Sequence, residues 1–189
     1  MTYKNTLHKT LPALPQRKRV AFAAACAERV RSLFETETEE DRDWFFDAIV
    51  FLWKFAYGHD ISAEMIADMR AKVESFYDDL MEVEDYGYDA SAVQCLRAAL
   101  NAIHDPTTRS AKNAAAFAID VAGLSSIRDE HIKLAQTEEE TFQMKVLEVL
   151  RQWPGETIRM RTFKPVGWTD DDGWPDPQWF ERLENDPSW

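Results

Sequence analysis

Six glycines among 189 residues are too few to build a glycine-rich phosphate cradle, and no Gly-x-Ser-x-Gly elbow occurs. Cysteine is scarcer still. Cys26 and Cys95 form no CxxC pair for zinc or redox work, and each sits inside an apolar helical pattern. They read as buried free thiols in a reducing compartment rather than as a disulfide framework. The four histidines, His8, His59, His104 and His131, are scattered. Neither the H-E-x-x-H pattern of a zinc hydrolase nor the paired Glu-x-x-His of a di-metal bundle is present. No apolar run approaches the roughly 18–20 residues that span a bilayer. Met1 to Thr10 is polar and lacks the apolar stretch of a signal peptide. Together these absences predict a cytoplasmic protein with no cofactor, no metal and no catalytic apparatus.

Cations are also in short supply. Against 34 Asp and Glu stand 22 Lys and Arg, a net charge of −12. A chain this acidic repels phosphate backbones and anionic lipid heads, so nucleic acid and membrane are excluded as partners. It suits a basic protein surface. The competing explanation is that the acids serve solubility alone.

What is abundant favours helix. Ala, Glu, Leu and Arg lose little freedom in a helical backbone, and 45% of residues are apolar. The first stretch, through Pro12 and Pro15, reads as a polar arm. A first helix runs from Gln16 to Phe34, with stripes at Val20, Ala23, Ala27, Val30, Phe34 and at Phe22, Cys26, Arg29, Leu33, so it packs on two sides. Thr38 and Asp41 suggest a cap for a second helix ending at Tyr57. Trp44, Phe45, Phe46, Ile49, Phe51, Leu52 and Trp53 make it apolar nearly all round, which places it at the bundle centre. Ser62 caps a third helix with Ile66, Met69, Val73, Phe76 and Leu80 on its buried face. A fourth, from Asp89 to His104, stops at Asp105-Pro106. Thr107 or Thr108 caps a fifth, which Gly123 bends or ends. Thr137 with Glu140 reads as the capping box of a sixth, which stops at Pro154-Gly155.

The expected fold is therefore all-α, an irregular bundle of about six helices. It occupies residues 1–155, and residues 156–189 form an extended, Trp- and Asp-rich tail. Ile158, Met160 and Thr162 alternate with Arg159 and Arg161, which suits a short extended segment. A tail this aromatic is expected to pack on its own bundle or on a partner.

Acidic residues gather in three places. The first, Glu35 to Asp47, has helix capping as its local explanation. The second comprises Asp78, Asp79, Glu82, Glu84 and Asp85. The third is the tail, with Asp170, Asp171, Asp172, Asp176, Glu181, Glu184 and Asp186 beside Trp168, Trp174 and Trp179. Aligning Gly173 with the glycine of a calcium loop puts Trp168 first and Trp179 twelfth, where carboxylates are required, so calcium is excluded. Tryptophan beside aspartate suits an interface, the ring as anchor and the carboxylates steering a basic partner. Asp78, Asp79, Glu82, Glu84, Asp85, Trp168, Asp170, Asp171, Asp172, Trp174 and Trp179 are the candidate partner-binding residues. Glu28-Arg29, in a very apolar helix, is read as part of a structural ion pair, since a partly buried arginine needs a carboxylate.

Val20-Ala21-Phe22, Cys26-x-Glu28-Arg29, the Ile49-to-Trp53 segment and the alanine-rich helix from Ala90 to Ile103 resemble the YjaG-type family of uncharacterised helical bacterial proteins. The likeness extends through Ala114 to Ile127 and covers about two thirds of the chain. The tail from Pro154 departs from it. This resemblance implies a helical fold and no particular activity. In general type the chain is also similar to the immunity proteins of bacterial polymorphic toxin systems, which block a toxin by binding it. The functional expectation is a non-enzymatic immunity protein that neutralises a protein toxin through its basic surface. The alternative is a helical scaffold or regulator.

Overall fold

The computed structural model describes residues 2–31, 39–82, 87–124 and 129–153. Seven α-helices make up nearly all of them: α1 (Tyr3–Thr10), α2 (Gln16–Arg31), α3 (Glu39–Tyr57), α4 (Ala63–Met81), α5 (Gly87–Asn101), α6 (Arg109–Leu124) and α7 (Asp129–Gln152). A 3-10 turn, Leu11–Ala13, joins α1 to α2, and no strand occurs among the described residues. The all-α expectation holds, with one helix more than the sequence suggested.

The extra helix is α1, where the sequence indicated an arm. Tyr3, Leu7, Leu11 and Leu14 recur on one side, and the three leucines are buried. That stripe lays α1 on α7. Pro12 falls inside the 3-10 turn, where its missing N–H interrupts no ladder.

The centre of the bundle is α2, not α3 as its aromatic content suggested. Eleven of the 16 residues of α2 are buried, and it packs against α3, α5, α6 and α7. Alanines explain this. A helix surrounded by others needs small side chains so that several backbones can approach at once. The bulky α3 lies mainly against α2, with its outer aromatics covered individually. Arg17 lies over Phe55 at 5.6 Å, Arg31 over Phe46 at 5.1 Å, and Trp44 stacks on Phe76 of α4 at 4.8 Å. These are the spacings of cation–π and offset-stacked contacts.

Arg17, Lys18 and Arg19 start α2, where cations oppose the helix dipole. Two of them answer the carbonyl-rich ends of other segments. Lys18 Nζ donates to Trp153 O at 2.6 Å, just past α7, and Arg19 donates to Pro106 O at 2.9 Å. Gln16 donates to Ile103 O beyond α5. Burial lowers the Lys18 pKa.

Ser62 caps α4 as expected, accepting from Met65 N at 3.1 Å. The cap of α6 is shared. Thr107 Oγ1 accepts from Arg109 N at 3.4 Å, as expected of one of the two threonines, and Asp105 adds the shorter bonds, accepting from Thr107 N and Ser110 N, each at 2.6 Å. Although partial burial opposes it, these bonds hold the Asp105 carboxyl well below the usual range. Thr108 instead adopts a φ of 71°, and its buried hydroxyl has no hydrogen-bond partner. A β-branched residue in the left-handed region is strained by about 1–2 kcal/mol. Thr108→Gly removes both the strain and the orphan hydroxyl, at the expense of about 0.5–1 kcal/mol of glycine entropy. Urea unfolding is expected to show a net gain of about 1 kcal/mol. A loss of stability would place the methyl group's packing above the strain.

The expected capping box at Thr137 is overturned. Thr137 lies within α7, which begins at Asp129, and its hydroxyl donates to Lys133 O at 2.7 Å. Back-bonding to the previous turn satisfies a mid-helix threonine as well as a cap would. Gly123 is the penultimate residue of α6, which ends at Leu124, within a residue of where the glycine was expected to end it. A Cβ there would lie 2.7 Å from Gln136 Nε2 of α7, so the glycine permits that close approach.

Candidate functional site

Of the sequence-chosen acids, Asp78, Asp79 and Glu82 fall among the described residues, and all three are exposed. Asp78 and Asp79 occupy the last turn of α4, and Glu82 is its C-cap. No basic residue shares that turn. A helix C-terminus carries the negative end of the dipole, so carboxylates there are unfavourable by a few tenths of a kcal/mol each. Among the described residues no ion pair compensates them. Helix stability therefore gives no reason for acids at this end.

Glu84, Asp85, Trp168, Asp170, Asp171, Asp172, Trp174 and Trp179 lie outside the described residues, as do the boundary at residue 156 and the extended segment near Ile158. In the first acidic group, Asp43 and Asp47 sit on the exposed side of α3. Burial and then Asp43 push the Asp47 carboxyl up, against the pull of Lys72 and Lys54. Cations of α3 and α4 are thus interleaved with that group, whereas the end of α4 is purely acidic.

A second constellation was not singled out in the sequence. Inside the bundle, Tyr3 of α1 donates its hydroxyl to Gln143 Oε1 of α7. Gln143 Nε2 donates to Ala115 O of α6 at 3.0 Å and to Glu139 Oε1 at 2.8 Å. The other Glu139 oxygen pairs with Arg29 Nε of α2 at 3.4 Å, and Arg29 lies over the Phe142 ring at 4.9 Å. This is the structural ion pair expected for Arg29. Its carboxylate comes from α7, while neighbouring Glu28 pairs with Arg31 at 3.2 Å. Burial raises the Glu139 pKa, and the bonds from Gln143 and Arg29 oppose that rise. The Cys26 and Cys95 thiols are fully buried nearby and pushed up, first by burial. Cys95 Sγ donates to Ala114 O at 3.3 Å. Both thiols are free, as expected, and in the protonated form they are poor nucleophiles.

The interior network joins α1, α2, α6 and α7 through satisfied polar groups. Both oxygens of Glu139 are engaged, so it has the character of a packing key rather than a base awaiting a substrate. His8 is on α1, His131 on α7, and His59 and His104 are in connections, with no convergence among them. Among the described residues no group of three or more His, Cys, Asp or Glu is placed to hold a metal ion. No helix there is long and apolar enough to cross a membrane. Among the described residues, the outward end of α4 is a place where exposed charge lacks a structural explanation.

No curated protein and no solved structure matches the chain. One family model does, over residues 6–156, from within α1 to just past α7. The chain belongs to the family described as "Protein of unknown function (DUF416)".

Proposed function

We propose that this protein is a non-enzymatic binding module whose acidic end of α4 engages a basic protein surface, and that the surface belongs to a toxin it neutralises. The observation that carries the reading is the placement of Asp78, Asp79 and Glu82, exposed at a helix C-terminus with no ion pair among the described residues. Charges kept where they disfavour the helix are accounted for by a gain made elsewhere, and an oppositely charged partner supplies one. Glu84 and Asp85 follow directly in the sequence and extend the same charge. The tail residues Trp168, Asp170, Asp171, Asp172, Trp174 and Trp179 add aromatic anchors to a second acidic segment. Carboxylates in this arrangement would occupy a cleft built for phosphates. The resemblance in type to immunity proteins makes a toxin the specific form of partner, and the YjaG-type likeness adds no activity of its own.

The test is co-expression with the product of the adjacent gene. Alone, that product is expected to arrest growth, and together with this protein growth is restored. A harmless product, or arrest that persists, ends the toxin reading. The triple variant Asp78→Asn, Asp79→Asn, Glu82→Gln then addresses the surface. Binding is expected to weaken about tenfold to a hundredfold and to lose much of its salt dependence. Unchanged affinity and salt slope would move the interface away from α4.

A further inference from the structure

The polar network inside the bundle has an unequal membership. Glu139, Gln143, Arg29 and the two cysteines belong to long helices packed on several neighbours, whereas Tyr3 belongs to the eight-residue α1. That helix buries one residue of its own, Leu7, and its principal neighbours are α7 and the 3-10 turn. Eight residues lie far below the length at which a helix is stable unaided. Beside Leu7, it is held by a hydroxyl on an amide oxygen, the Tyr3 bond to Gln143.

That bond sets what happens to the polar network when α1 lifts. Withdrawal of the Tyr3 hydroxyl leaves Gln143 Oε1, which water satisfies at once, while Gln143 Nε2 keeps Ala115 O and Glu139. Opening therefore orphans no buried polar group. Cys26, fully buried on α2, is near enough that a charge on its thiol would disfavour one on the Tyr3 phenol. Cys26 sits one turn before Arg29 on α2, on the side facing Glu139 of α7. Cys95 is equally buried, on α5 and tied to Ala114 O of α6, and α5 is not among the principal neighbours of α1.

The geometry points to α1 as a releasable strap: it detaches as a unit while α2–α7 remain folded, and its release opens the Cys26–Glu139–Gln143 cluster to solvent. The two buried thiols report on this directly, because a strap uncovers Cys26 and leaves Cys95 covered. The full-length protein is treated with iodoacetamide without denaturant, and early time points are mapped by peptide mass spectrometry. Cys26 is expected to label at least about tenfold faster than Cys95, with a rate nearly insensitive to low urea, the mark of a small opening. Tyr3→Phe removes the anchor bond and is expected to raise the Cys26 rate about tenfold while leaving that of Cys95 unchanged. Hydrogen exchange of the wild-type chain supplies a measurement independent of any variant, in which the α1 amides exchange well before those of α2. Equal labelling of both thiols with the same steep urea dependence, or α1 amides as protected as those of α2, would overturn the strap.

Discussion

Trp53→Ala is expected to destabilise the protein by about 3–5 kcal/mol, the largest effect of any single truncation here. Trp53 is the largest fully buried side chain, on α3, and its ring stacks on Tyr57 one turn later at 5.6 Å with 19° between the planes. Its loss removes transfer energy from a large aromatic surface and leaves a cavity. The aromatic pairing contributes about 0.5–1.5 kcal/mol more. α3 packs chiefly against α2, whose alanines have little side-chain reach with which to collapse into a space left on α3. That places the change toward the upper end of the range. A marginally stable domain has about 5–15 kcal/mol in hand, so the variant is expected to unfold at far lower urea with an unchanged m-value. A shift worth less than about 2 kcal/mol would mean that α3 settles onto α2 more freely than its packing implies.

The same α2–α3 pair shows where sequence reasoning reached its limit. Helices announced by local chemistry were legible: Ser62 before Ala63, Asp105-Pro106 after α5, the alanine-rich α6. Each signal lies within a few residues of what it controls. The ranking of α2 and α3 was not legible, because apolar content measures how much surface seeks burial and not how many neighbours can come close. Alanine decides that, and the run AFAAACA from Ala21 to Ala27 in α2 holds five alanines. α1 was hidden by Pro12 and Pro15, although Tyr3, Leu7 and Leu11 already carried helical spacing. The need of Arg29 for a carboxylate was legible from its apolar surroundings. That the carboxylate is Glu139 was not, since 110 positions separate them and only the folded topology brings α7 to α2. On the candidate surface, the charge of Asp78, Asp79 and Glu82 was visible, whereas their place at the unfavourable end of a helix required the boundary of α4.

Glu28 leads to the second large effect, one that depends on pH. Its side chain is buried on α2, Oε1 pairs with Arg31, and Oε2 has no hydrogen-bond partner. Burial pushes its pKa up to about 7, against the pull of Arg31. The folded protein thus holds a proton that the unfolded chain has already lost at the same pH. The sign follows: stability from this group is fully present below the ordinary value of 4.5 and declines as pH rises toward 7, above which no more is lost. At 1.36 kcal/mol per pH unit the whole change is about 3 kcal/mol. Arg31 is well exposed, so its pairing returns little to the charged form. Glu28→Gln keeps the shape and removes the titration. It is expected to be more stable than wild type by up to about 3 kcal/mol at pH 8 and nearly equal to it at pH 4.5. Burial raises Glu139 in the same direction, so the raw pH profile mixes both groups. The difference between wild type and Glu28→Gln, measured by urea unfolding at each pH, isolates Glu28. A difference that stays flat from pH 4.5 to 8 would mean the Glu28 carboxylate is as well solvated in the fold as in the unfolded chain.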